Sequence, residues 1–364
     1  MKRKIIYLAL ALLLIVFLSC SKTETPSTPS PNKPTTTPTP SPSPSQSPSP
    51  SPSVVTDIAN WTQVIVTTPF TAADWHTALV YDNKMWLIGG RISSGNTIAE
   101  VWSSTNGADW TLVTGNAAFG PRFRHSSVVY NNKMWVIGGT PLDGYSADCL
   151  NDVWYSTNGA DWILATGNAE FSPRYSFSTF NFNNKMWVIG GVDSSWSMYN
   201  DVWSSSDGVT WTQVTSSAPF SGRNNYSGLV FNGYMWVLAG YDGYSNTTYN
   251  GCFYDGEAND VWRSSNGVDW ELVTGNAGFS PRTAQSSFVV DGKIFIGMGY
   301  DDCINLNDDL WYSSDGKFWT LVTENLTSTP RMRAKALVYN GKVWLLGGST
   351  CTGSCPTSEV WYAE

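Results

Sequence analysis

The chain has 364 residues, a formal net charge of −8, nineteen tryptophans, six cysteines and only two histidines, His76 and His125. An acidic chain excludes nucleic acid as an expected partner, because binding it needs lysines and arginines gathered on one face. Two histidines exclude a histidine-rich metal centre, and nothing in the composition implies a cofactor.

Lys2, Arg3 and Lys4 precede an apolar run over 5–18, too short and wrongly flanked for a stable membrane span and read as a signal peptide over 1–19. The run ends Phe17-Leu18-Ser19-Cys20, which resembles a bacterial lipobox and implies lipidation of Cys20. An ordinary secretory signal with an unmodified cysteine is the alternative. Residues 20–53 form a tether made almost wholly of Ser, Thr and Pro. Such a segment has nothing to bury and stays extended at about 3.1 Å per residue, so its reach is on the order of 100 Å. It would hold a folded domain, 54–364, away from a membrane reached only through the lipid.

That domain is one motif repeated. A double glycine recurs at Gly89-Gly90, Gly138-Gly139, Gly190-Gly191 and Gly347-Gly348, with altered forms at Ala239-Gly240 and Gly297-Met298-Gly299. Two series of tryptophans keep step with it, Trp102, Trp154, Trp203, Trp262, Trp311 and Trp361, then Trp61, Trp110, Trp162, Trp211, Trp270 and Trp319. A period of about 50 residues with several short apolar runs per repeat predicts an all-β, six-bladed β-propeller with four-stranded blades. In the second repeat, runs at 126–130 and 134–137 flank a turn at Asn131-Asn132, and runs at 152–156 and 162–165 flank Asn158-Gly159. Asn-Gly and Asp-Gly pairs there, and at Asn106-Gly107, Asp207-Gly208, Asn266-Gly267, Asp315-Gly316, Asn232-Gly233, Asp291-Gly292 and Asn340-Gly341, favour type I′ hairpin turns. The domain opens on a fourth-strand sequence at Trp61 and ends on a third-strand sequence at Trp361. The amino-terminal strand should therefore complete the last blade and remove an open sheet edge.

The double glycine, the two tryptophan series and the arginine before five of the six first strands resemble the kelch motif, whose fold is the β-propeller. The segment Ser205-Ser206-Asp207-Gly208-Val209-Thr210-Trp211 is also similar to a shortened Asp-box of sialidase propellers. Kelch resemblance implies architecture strongly and activity weakly, since the family includes ubiquitin-ligase adaptors, actin binders, galactose oxidase and sialic acid mutarotases. The copper site of galactose oxidase needs two histidines placed with tyrosines, which this chain does not supply.

The turn end of the repeats is nearly constant, whereas the loops joining second to third strands differ in length and content: 91–99, 140–151, 192–200, 241–259, 300–308 and 349–358. Loops on a rigid frame are where binding residues gather. Trp75 and Trp196 fall outside the repeat pattern, and Tyr145, Tyr199, Tyr241, Tyr244 and Tyr300 stand in or beside these loops. Aromatics so placed stack on sugar rings or anchor a protein, or pack a loop onto its blade. Arg122, Arg174, Arg223, Arg282 and Arg331 recur before each first strand except the first, where Asp74-Trp75-His76 stands instead. Their regularity favours a structural tie to a connector carbonyl over a ligand site. Arg124 and Arg333 are additional, two residues further on in two blades only, and kelch adaptors often place ligand-binding arginines there.

Beyond Cys20 the cysteines are Cys149, Cys252, Cys303, Cys351 and Cys355, all in variable loops. In an oxidising compartment, Cys351 with Cys355 and Cys252 with Cys303 are candidate disulfides. The expected molecule is a monomeric, lipid-anchored cell-envelope protein, periplasmic or on the surface, that binds a glycan or protein partner. The alternative is a sugar-directed enzyme resembling the kelch mutarotases.

Overall fold

Hairpins follow from the turn residues. In the second repeat Ser126–Tyr130 turns through Asn131 and Asn132 into Lys133–Gly139. Both asparagines are left-handed, with φ of 49° and 54°, and this mirror-image geometry matches the twist of the strands it joins. The third and fourth strands, Leu150–Ser156 and Ile163–Thr166, are joined differently. An Asn-Gly pair predicts a two-residue type I′ turn there, and the structure corrects this: in the equivalent turn of the first blade, between Thr97–Ser104 and Thr111–Thr114, only the glycine of Asn106 and Gly107 is left-handed, at 74°. The tip is a longer loop whose backbone donors are met by side chains. Ser104 Oγ accepts from the Gly107 N–H at 2.8 Å, and Asn106 Oδ1 accepts from Ala108 and Asp109 at 2.9 and 2.8 Å. Short polar side chains compete with strand pairing in this way.

The computed structural model describes residues 58–65, 69–141, 149–249, 252–301, 305–352 and 355–364. The chain divides into Met1–Pro50 and Ser51–Glu364, and every described residue lies in the second unit. The signal, Cys20, Tyr145 and Cys303 lie outside the described residues, as do the side chains of Tyr244 and Cys252. Every element among the described residues is a β-strand. They form six antiparallel blades, each ordered first, second, third, fourth strand. The first blade carries one extra short strand, Ala73–Asp74. First strands of successive blades touch around the axis, and that of the sixth, Lys335–Tyr339, touches that of the first, Thr77–Tyr81. Thr62–Ile65 pairs with Val360–Ala363, Thr62 opposite Tyr362. The amino-terminal strand thus closes the last blade.

The cores lie between blades. Leu79, Trp86, Ile88 and Val101 of the first pack against Phe119, Met134, Val136 and Trp162 of the second. Met85, Leu87 and Trp102 pack against Leu337, Trp344 and Leu346 of the sixth. Both faces of a central strand are therefore buried, which is why runs such as Met134 to Ile137 are apolar at every position. Each full burial of so large a side chain contributes about 1.5–3 kcal/mol. Connector phenylalanines add edge-to-face contacts with the later tryptophans: Phe119 with Trp162 at 4.9 Å, Phe171 with Trp211 at 5.2 Å, Phe279 with Trp319 at 5.0 Å.

Candidate functional site

One residue from each blade, just before its first strand, bends the chain into the axis. Trp75, Arg124, Ser176, Asn225, Ala284 and Arg333 all have φ between 53° and 64°. The left-handed region costs a non-glycine residue roughly 1–2 kcal/mol, so something must hold it. That something is a run of five backbone hydrogen bonds passing from blade to blade. Arg124 N–H donates to Trp75 C=O at 3.1 Å, Ser176 to Arg124 at 2.9 Å, Asn225 to Ser176 at 3.1 Å, Ala284 to Asn225 at 2.9 Å and Arg333 to Ala284 at 2.8 Å. All six residues line a central cavity of about 200 Å³. They stand at the end where second strands leave for the variable loops, since Thr77 pairs with Ile88 there while Tyr81 pairs with Lys84 at the turn.

Three of the ring residues form the mouth. The guanidinium carbons of Arg124 and Arg333 lie 4.6 and 4.5 Å from the Trp75 ring centre, within cation–π range. Trp75 is 8% exposed, and its Nε1 has no hydrogen-bond partner among the described residues. Arg333 Nη1 donates to Asp74 Oδ2 at 2.7 Å, and Arg91 donates to both Asp74 oxygens at 3.1 and 3.0 Å. Burial pulls the Arg333 guanidinium down to about 10, against the favourable charge of Asp74. It stays cationic at neutral pH.

Below the mouth the first strands supply the wall. Thr77, Ser126, Ser178, Ser227 and Ser286 hold equivalent positions, and the sixth blade places Lys335 there. His76 and His125 also line this level. His76 Nδ1 lies 3.1 Å from the Ala73 carbonyl and His125 Nε2 lies 3.0 Å from Thr77 Oγ1. Burial, reinforced by the charge of Lys335, lowers His76 to about 4. Burial and the charge of Arg122, with smaller contributions from Lys335 and His76, lower His125 well below its ordinary value. Both are neutral imidazoles at pH 7.

Residues 53–206 match the KLHDC2/KLHL20/DRC7 Kelch-repeats domain, and the remaining blades carry the same glycines, tryptophans and arginines. Over that stretch the repeats are similar to kelch repeats. Among solved structures, one titled "Structure of YjhT" aligns with a TM-score of 0.63 at 14% identity, covering 83% of this chain and 100% of that one. At that identity the likeness concerns the fold, which 553 matching chains share, so architecture alone selects no activity. No curated protein matches the sequence significantly.

Within the propeller the recurrent arginines are ties. Arg174 donates to Gly190 C=O at 2.9 Å and grips both oxygens of Asp201 at 2.6 and 2.9 Å. Arg122 does the same with Gly138 and Asp152, Arg223 with Ala239 and Asp260, and Arg282 with Met298 and Asp309. Arg331 reaches Gly347 and Glu359. The acid stands two residues before the third-strand tryptophan, a signal visible in the sequence because it recurs in phase with the arginine.

The candidate aromatics have different settings. Trp75 joins Arg124 and Arg333 at the mouth. Tyr300 packs beside Trp75, Phe123 and Met332. Tyr199 lies 4.2 Å from the Arg174 guanidinium and donates to Asp193 at 2.9 Å. Tyr241 is half-buried and crosses to Asn224 by backbone hydrogen bonds. Trp196 is 46% exposed. Neither Tyr199, Tyr241 nor Trp196 lines the cavity. Cys351 and Cys355 form a disulfide. Sequence reasoning missed the left-handed ring, the role of Asp74 and Lys335; Asp74 left a trace as part of the first blade's Asp74-Trp75-His76 departure, and Lys335 as a lysine in a column of serine and threonine.

Proposed function

We propose that this kelch propeller is a binding module that takes a glycan or protein ligand on its variable-loop face, centred on the mouth of the channel. The observation that carries this is the indole of Trp75 set between the guanidiniums of Arg124 and Arg333 at 4.6 and 4.5 Å. An indole whose N–H has no partner among the described residues, beside two guanidiniums, suits a ring-shaped or acidic group, which they would hold by stacking and hydrogen bonds. In the same reading the protein is a monomer held in the bacterial envelope by lipid on Cys20 and a tether over 20–53, with Trp196, Tyr199, Tyr241 and Tyr300 extending the contact surface. A mutarotase-like enzyme needs a carboxylate open to the cavity. Asp74, the one beside Arg333, is fully buried and bound by two guanidiniums.

Thermal unfolding of residues 54–364 against neutral and acidic sugars tests the reading, since a ligand of the folded state raises its stability. A rise that Trp75→Ala or Arg124→Ala abolishes is the expected result for a glycan ligand. No rise with any sugar, together with no envelope protein retained by the wild type and lost by those variants, would overturn it.

A further inference from the structure

The channel below the mouth carries a charge that no carboxylate among the described residues balances. Lys335 opens the sixth blade's first strand and is half-buried against the cavity. The equivalent position in every other blade is a hydroxyl, Thr77, Ser126, Ser178, Ser227 or Ser286. Arg124, Arg333 and Lys335 are the charged residues of the lining, which includes no aspartate or glutamate. Arg333 has Asp74. For Lys335 no carboxylate stands within ion-pair distance among the described residues, and burial alone lowers its ammonium from the ordinary value. This well of positive charge lies inside a protein whose net charge is −8.

Placing an ion in a protein without a partner is costly. A buried polar group left unpaired costs about 1–3 kcal/mol, and the same wall holds several. Trp75 Nε1, Ser127 Oγ and Ser176 Oγ are donors with no partner among the described residues, and Asn225 Oδ1 and Gln285 Oε1 are acceptors in the same condition. The neighbouring imidazoles, neutral at pH 7, add no charge that would compensate Lys335. A cavity of about 200 Å³ has room for a compact guest with its hydration water.

We propose that the channel interior is an anion site in which Lys335, supported by the surrounding hydroxyls, binds an oxyanion. The ammonium contributes three N–H donors and the hydroxyls of Ser127 and Ser176, which have no partner among the described residues, further ones, the set that a phosphate, sulfate or carboxylate accepts from. The site stands apart from the reading of the mouth: it requires Lys335 and the channel wall, not the stack on Trp75. The oxyanion has two possible sources, a free inorganic ion or the acidic group of a larger ligand reaching inward.

The test uses the secreted full chain at constant ionic strength and pH 7, with chloride as the reference anion. Inorganic phosphate and glucuronate are titrated separately, and unfolding temperature and heat of binding are measured. The comparison variant is Lys335→Ser, which installs the residue that four other blades carry and so keeps the fold. Saturable stabilisation of the wild type by phosphate, weakened at least tenfold in Lys335→Ser, is the expected result and identifies a free-ion site. A response to glucuronate alone, equally lost in Lys335→Ser, supports the site with the ion supplied by a larger ligand. In chloride-free buffer without oxyanion, Lys335→Ser should unfold at a higher temperature than the wild type. A wild type indifferent to both anions, or a Lys335→Ser variant that responds as the wild type does, would overturn the proposal.

Discussion

Arg333 Nη1 lies 2.7 Å from Asp74 Oδ2, joining residues 259 positions apart. The contact bridges the sixth blade to the first, where the ring closes. The first blade has Ala73 where the others have their tying arginine, and Asp74 with Arg91 supplies a tie instead. Because Asp74 is fully buried, Asp74→Asn would leave two guanidiniums without their carboxylate. Breaking one side of such a buried pair costs about 3–5 kcal/mol, and urea unfolding should show a loss of that size. The exposed pair Arg263 and Glu271, at 2.8 Å, is the contrast: Glu271→Gln should cost below about 1 kcal/mol. Equal effects would mean that burial is not what gives the Asp74 clasp its weight.

Glycines at the outer tips separate steric from conformational demands. A Cβ on Gly316 would stand 2.2 Å from Trp236, whereas one on Gly233 would meet nothing within 4 Å, and their φ values are 77° and 75°. Gly233→Ala therefore reports left-handed strain alone, about 1–2 kcal/mol. Gly316→Ala adds displacement of a tryptophan that is 1% exposed, and overpacking costs typically a further 1–3 kcal/mol. Denaturant midpoints should rank wild type above Gly233→Ala and Gly233→Ala above Gly316→Ala. Indistinguishable variants would show that Trp236 yields freely.

Buried neutral histidine makes the fold acid-sensitive. His76 titrates at about 4 in the folded protein against 6.5 in the unfolded chain, so the unfolded chain takes the proton first as pH falls. The stabilisation is complete above about pH 6.5 and lost as pH falls toward 4, with His125 acting in the same direction. At 1.36 kcal/mol per pKa unit, His76 alone accounts for on the order of 3–4 kcal/mol over the whole window. Asp308 opposes it: burial raises its carboxyl to about 6, so folded protein gains that proton first between about 6 and 4. Guanidinium midpoints at pH 7.5 and 4.5 should show a net loss of stability, shrinking in His76→Asn, whose amide still reaches the Ala73 carbonyl. An unchanged pH dependence in that variant would remove His76 as the cause.

Repetition made the fold legible. Glycines that let backbones approach, tryptophans that fill the space between blades and the displaced fourth strand all recur in phase, so each repeat checks the others. The third-to-fourth hairpins were misread because Asn-Gly fits two geometries, and the hydrogen-bonding of Ser104 and Asn106 selects the longer one. Arg124, Arg333 and Trp75 stood out by breaking the pattern. The ring that gathers them did not, because its members are as unlike as tryptophan, arginine, serine, asparagine and alanine. Their shared φ comes from hydrogen bonds between blades, and no side chain encodes it.

That ring is strained by design of the backbone, and Ser176 is where the strain is easiest to read. Its φ is 54° and its buried hydroxyl has no partner among the described residues. Ser176→Gly removes a left-handed penalty of roughly 1–2 kcal/mol and a buried unpaired hydroxyl, against a backbone entropy cost of about 0.5–1 kcal/mol. In anion-free buffer it should be more stable than the wild type by about 1 kcal/mol. Ser176→Val should be less stable, since a branched side chain is least suited to positive φ. Arg124 shares the geometry, at 56°, but Arg124→Gly also removes the guanidinium over Trp75, so the same relief of strain would come with loss of binding at the mouth. Relief without that loss at Ser176, and with it at Arg124, is the pattern expected if the ring holds side chains at the channel rather than simply closing the propeller. A destabilised Ser176→Gly would show that the six blades prefer this backbone without strain.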